Sequence, residues 1–101
     1  MAINLKAITS VLGYQQITSL SSATGLTVPQ KDIAGLAGSP RIAIITPEGQ
    51  AVRWRDDGVS PTATVGMPLA VGVTLQYDGD INQIKFIEQS AGAKLNITYY
   101  S

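Results

Sequence analysis

The chain has 101 residues, 45% of them hydrophobic and 14% charged, and its seven basic and seven acidic groups cancel to a formal net charge of zero. That length holds one domain, which buries roughly 60–70% of its unfolded surface. Such a composition excludes a disordered chain, and the balanced charge argues against a nucleic-acid backbone or an anionic membrane as the main partner. Cysteine and histidine are both absent, which removes disulfides, thiolate and imidazole metal sites, and the Ser-His-Asp and Cys-His nucleophile arrangements.

The opening residues Met1-Ala2-Ile3-Asn4-Leu5-Lys6 lack the basic start and long apolar stretch of a signal peptide, and no run approaches the ~20 apolar residues of a membrane helix. A protein made in the cytoplasm, without a membrane, is expected. Residues 1–40 are less regular than the rest. Strands are expected over residues 3–9 and 15–20, with loops over residues 26–29 and 33–38. Only Lys6, Lys31 and Asp32 are ionised in this region, so its apolar residues, Ile3 and Leu5 among them, are expected to pack across the sandwich or on another subunit as an assembly arm.

From Arg41 onward the sequence reads as strands separated by closely spaced turn signals, the pattern of an antiparallel sandwich. Ile42, Ile44 and Ile45 around Ala43 predict a strand over residues 41–46 buried on both faces. Pro47-Glu48-Gly49-Gln50 then predicts a hairpin turn into residues 51–55. There Val52 and Trp54 face the core and Arg53 and Arg55 face out, beside Asp56 and Asp57. Residues 59–64, with Pro61 among small polar residues, predict a surface loop and a crossing between sheets.

Val71, Val73, Leu75 and Tyr77 share one face of the next expected strand, and Asp78-Gly79-Asp80 predicts a hairpin turn. Ile84 and Phe86 alternate with Lys85. In the last strand Leu95, Ile97 and Tyr99 oppose Lys94, Asn96 and Thr98, the mark of a sheet wet on one side. No internal repeat is present.

Few residues offer chemistry. Glu48, in the expected turn, and Glu88, at a strand end, would be the carboxylates of a hydrolytic pair, but both suit solubility better, and no enzyme is expected. Asp78, Asp80 and Asn82 match the opening of a calcium loop. Gln83 then stands where glycine is needed and Gln89 where the bidentate glutamate belongs, so a plain turn is expected and no cofactor or metal is assigned. Asn96-Ile97-Thr98 is a formal glycosylation sequon inside a strand. Trp54 between Arg53 and Arg55 could form a stacking platform for a base or a sugar, but the alternation favours a core tryptophan and leaves the two arginines as candidates for a charged contact with a partner.

The run Val52-Arg53-Trp54-Arg55-Asp56-Asp57-Gly58, then Pro61-Thr62-Ala63-Thr64-Val65-Gly66-Met67-Pro68-Leu69, Leu75-Gln76-Tyr77-Asp78-Gly79-Asp80 and the closing Lys94-Leu95-Asn96-Ile97-Thr98-Tyr99-Tyr100 resembles a group of small structural proteins of tailed bacteriophages. The resemblance covers residues 41–100, and residues 1–40 carry none of it. It implies a virion component with an all-β fold, a small antiparallel β-sandwich or jelly-roll-like barrel, and brings no active site with it. Among virion roles, a capsid decoration or cement protein on the capsid exterior fits a small, neutral, cysteine-free chain. Its partner would be the major capsid protein, and it would self-associate, as a trimer at threefold positions of the shell. The rival readings are a tail, head-fibre or head-to-tail connector component, and a soluble sugar- or receptor-binding module on the same sandwich.

Overall fold

The computed structural model describes residues 11–28 and 40–100. In it eight strands form two four-stranded antiparallel sheets: β1 (Val11–Ile17), β2 (Thr24–Gly25), β3 (Ile42–Glu48), β4 (Val52–Arg55), β5 (Met67–Leu69), β6 (Leu75–Tyr77), β7 (Lys85–Glu88) and β8 (Lys94–Tyr100). One sheet runs β1-β8-β3-β6 and the other β2-β7-β4-β5. This strand order is that of a jelly roll, in which the chain passes repeatedly from one sheet to the other. Among the described residues there is no helix. The all-β sandwich expected from the alternation is thus the fold observed.

Alternation decides which side chains meet between the sheets. In β8, the central strand with the longest pairing, Leu95, Ile97 and Tyr99 are sealed from solvent, and their partners across β3 are Pro47, Ile45 and Ala43. Phe86 and Ile84 close the core from the opposite sheet together with Val52. Burying each such large side chain contributes roughly 1.5–3 kcal/mol. Tyr99 brings a hydroxyl into this core, and its Oη donates to Gln15 Oε1 at 2.7 Å, so the polar atom is satisfied. Burial pushes the Tyr99 hydroxyl pKa up to about 12.

Several connections differ from expectation. The turn after β3 is no hairpin, because β3 and β4 lie in different sheets. Gly49, at φ +83°, turns the chain across the open edge of the sandwich, where a Cβ would strike the Gly92 carbonyl oxygen. Pro47 and Glu48 still belong to β3. The Pro47 carbonyl accepts from Gly72 N on the side away from β8, so its missing N–H also faces that side, beyond the end of β6, and costs no ladder bond. Residues 59–64 do not cross between sheets either. They belong to the loop joining β4 to β5, which pair directly with Val52 opposite Leu69 and Trp54 opposite Met67.

The expected face of Val71, Val73, Leu75 and Tyr77 breaks in two. Gly72 (φ +79°) makes a turn that leaves Val71 and Val73 about half exposed, and only Leu75–Tyr77 forms β6. Asp78-Gly79-Asp80 is again a crossing and no hairpin: β6 and β7 are in opposite sheets, and Gln83 N and Ile84 N both return to the Asp80 carbonyl. The strand at residues 41–46 is fully buried on the side of Ala43 and Ile45, while Ile42 and Ile44 on its other side are half-covered.

In the N-terminal region the strand expected over residues 15–20 is shifted to Val11–Ile17, with a bulge between Val11 and Gly13 that turns Leu12 inward. Residues 11–28 therefore supply strands to both sheets. The strand expected over residues 3–9, the loop over residues 33–38, and Ile3 and Leu5 lie outside the described residues.

Candidate functional site

Strand β4 carries the unusual Arg-Trp-Arg run, and the register settles where each side chain goes. Trp54 stands opposite Phe86 and Met67, on the inward side with Val52. It sits at the end of the strand, so its indole is only half-buried and packs on the rim of the core. Its ring meets that of Tyr77 edge to face, centroids 5.9 Å apart. The core position expected for Trp54 is therefore a rim position, with part of the ring facing out.

Beside the indole lies an open cleft of about 300 Å³ lined by Trp54, Arg55, Asp56, Asp57, Val65, Gly66 and Met67. Its walls are mostly apolar, and Val65 and Met67 are more than half exposed. The loop that forms one wall is held from β4. Arg53 donates through Nε to the Ala63 carbonyl (3.2 Å) and through Nη1 to the Gly66 carbonyl (2.8 Å). Thr62 and Val65 exchange backbone hydrogen bonds across the same loop. Gly66, at φ +142°, passes so close that a Cβ would stand 3.1–3.2 Å from Pro61, Arg53 and the Trp54 carbonyl. The wall is thus fixed by a strand arginine and a glycine that lets the backbones approach.

The polar rim is equally ordered. Arg55 binds Asp57 with two parallel hydrogen bonds, the one from Nε at 3.0 Å, and Val59 N also donates to that carboxylate. The arginine's hydrogen bonds and charge hold the Asp57 carboxyl below the usual range. Asp56 behaves differently. It accepts a 2.6 Å hydrogen bond from the Tyr77 hydroxyl, a neutral donor, and among the described residues the one ion pair is Arg55–Asp57. Burial first, then the bond to the Asp56 anion, pushes the Tyr77 hydroxyl pKa well above its ordinary value.

The other sequence candidates are dispersed. Arg53 and Arg55 face outward from β4, as the alternation indicates, with their guanidinium groups engaged as described. Glu48 ends β3 and accepts from Asn96 Nδ2 at 3.0 Å, while Glu88 ends β7 in the other sheet and accepts from Ala93 N at 3.4 Å. Asp80 Oδ1 accepts from Asn82 N at 3.1 Å, closing its own turn. Among the described residues no three carboxylates gather where a metal ion could sit. Asn96 lies in β8, flanked on both sides by paired strands, and takes hydrogen bonds from Tyr14 Oη (2.6 Å) and Gln16 Nε2 (3.0 Å).

Asn96 also marks a second surface, the outer face of the β1-β8-β3-β6 sheet. Reading across the register, Tyr14, Thr98, Ile44 and Gln76 form one row and Gln16, Asn96 and Thr46 the next. Thr46 and Thr74 join their hydroxyls at 3.0 Å. Glu48 and Lys94, paired in register at one end, are the charged residues of these strands' outer face. Val11 and Tyr14 are each more than 60% exposed on the outer strand.

Sequence reasoning missed the cleft because Val65, Gly66 and Met67 come from the far end of a loop that carries no periodic signal. No protein-family model, no curated protein and no solved structure matches this chain.

Proposed function

We propose that this chain is a structural component of a tailed-phage particle, a capsid decoration or cement protein that seats on the outside of the head shell and holds neighbouring capsomers together. The reading is carried by the outer face of the β1-β8-β3-β6 sheet, four strands wide and, among the described strand residues, with charge only at its Glu48–Lys94 end. Many polar groups of this face already bond to one another, Tyr14 and Gln16 to Asn96 and Thr46 to Thr74. Away from the Glu48–Lys94 end there is no charge among its described strand residues to desolvate, which suits a permanent neighbour. The jelly-roll strand order, found in viral shells among other settings, supports it as a prior on architecture. The resemblance of residues 41–100 to small phage structural proteins supports the same setting. In this reading the partner is the major capsid protein, and the protein self-associates as a trimer because closed cyclic symmetry repeats one contact at each threefold position.

A second reading, a soluble receptor- or sugar-binding module, is favoured by the Trp54 cleft, where an aromatic ring borders two carboxylates. Mixing the protein with undecorated shells separates the two, with bound copies counted by quantitative gel and shell heat resistance measured alongside. Decoration gives on the order of hundreds of copies per particle and a raised disruption temperature, whereas a connector or fibre saturates at roughly a dozen or fewer. Failure to bind any shell overturns the proposal.

A further inference from the structure

We propose that the cleft beside Trp54 binds the side chain of a lysine or arginine presented by a partner polypeptide. Three observations converge on that chemistry. The lining is an indole flanked by the aliphatic side chains of Val65 and Met67, which suits the long apolar stem of a basic residue. The rim carries Asp56, a carboxylate whose hydrogen bond comes from the neutral Tyr77 hydroxyl. A cation entering here therefore gains a charge-assisted hydrogen bond and lies against an aromatic ring. The cleft's own cation, Arg55, does not compete, because its guanidinium is held in the two-point pair with Asp57.

A purely apolar side chain would fill the same lining but leave Asp56 without a counter-charge. The saccharide reading uses the ring and the carboxylates yet leaves the exposed aliphatic wall of Val65 and Met67 unexplained. The basic side chain uses all three. It also finds the site already built, since Arg53 fixes the loop wall and Tyr77 fixes Asp56, so little ordering is lost on binding. The inference goes beyond the shell reading and does not depend on it.

Trp54 is the sole tryptophan of the chain, so its fluorescence reports directly on the cleft. The probes are the blocked tripeptides acetyl-Gly-Lys-Gly-amide and acetyl-Gly-Arg-Gly-amide, the norleucine tripeptide with the same stem and no charge, and a panel of neutral monosaccharides. Each is titrated to roughly 50 mM to reach millimolar affinities. The cationic peptides are expected to give a saturable change that weakens with added salt, and the norleucine peptide to bind at least about tenfold more weakly. Asp56→Asn keeps an acceptor for Tyr77 and is expected to lose the preference for the charged peptides at an unchanged melting temperature. Asp78→Asn, an exposed carboxylate outside the cleft, is expected to keep it. Equal binding of the norleucine peptide, no effect of Asp56→Asn, a response to sugars alone, or no saturable response overturns the proposal.

Discussion

The Tyr77 hydroxyl donates a 2.6 Å hydrogen bond to the Asp56 carboxylate while the edge of its ring meets Trp54. One residue thus ties the last strand of one sheet to the chain leaving β4 in the other. Tyr77→Phe keeps the ring and removes that tie. Asp56 is exposed and can turn to water, so the loss should be moderate, about 1–2 kcal/mol in urea unfolding.

Trp54→Ala removes a ring that is half in the core. Full burial would make such a truncation cost about 3–5 kcal/mol. At the rim, with part of the ring already in water, the expected loss is about 2 kcal/mol, and the variant should stay folded by circular dichroism.

Gly49→Ala places a methyl group against the Gly92 carbonyl oxygen in a backbone conformation of φ +83°. Neither problem can be relieved by a side-chain rotation, since both partners are main chain. The expected cost is about 2 kcal/mol or more, read as a fall in urea midpoint with an unchanged slope. Gly58→Ala, also at positive φ but with open space around it, should cost only the conformational part, about 1 kcal/mol.

Alkaline pH should destabilise the protein through its two buried tyrosines, Tyr99 and Tyr77. Burial holds the Tyr99 hydroxyl up at about 12, and burial with the Asp56 bond raises Tyr77 as well. In the unfolded chain both ionise near 10. Above that value the unfolded state binds fewer protons than the folded one, so stability falls as pH rises from about 10 toward 12 and is fully present below 10. Denaturant midpoints measured from pH 8 to 12 check this, and Tyr99→Phe should flatten the slope.

The strands whose pairing partners flank them on both sides were the legible ones. In β8 and around Phe86, strict alternation exposed the core face directly, because a one-residue slip would turn Leu95, Ile97 and Tyr99 to solvent. Connections were less legible. Pro47-Glu48-Gly49-Gln50 and Asp78-Gly79-Asp80 carry the same turn chemistry whether the chain folds back beside itself or crosses to the facing sheet, and that choice is set by distant strands. Val71 and Val73 keep a strand-like alternation although Gly72 turns the chain between them. β2 spans two residues and leaves no periodic signal at all. Of the cleft, the Arg-Trp-Arg run was visible, but its opposite wall became a neighbour only through the β4–β5 pairing.

The strand order also governs when the fold can form. Among the described strands, β4 and β5 are the one consecutive pair that bond to each other, and β1 bonds to β8, so Gln16 waits for Asn96. During synthesis β1, which precedes the other described strands, has no partner until β8 has been made, and its exposed Val11 and Tyr14 wait until then for Tyr100 and Thr98. Closing such long loops before any contact rewards them makes folding slow, in the millisecond-to-second range of all-β topologies. The β1-β8-β3-β6 sheet is therefore completed only once β8 has been made, and truncating β8 leaves β1 without a partner and β3 with β6 alone.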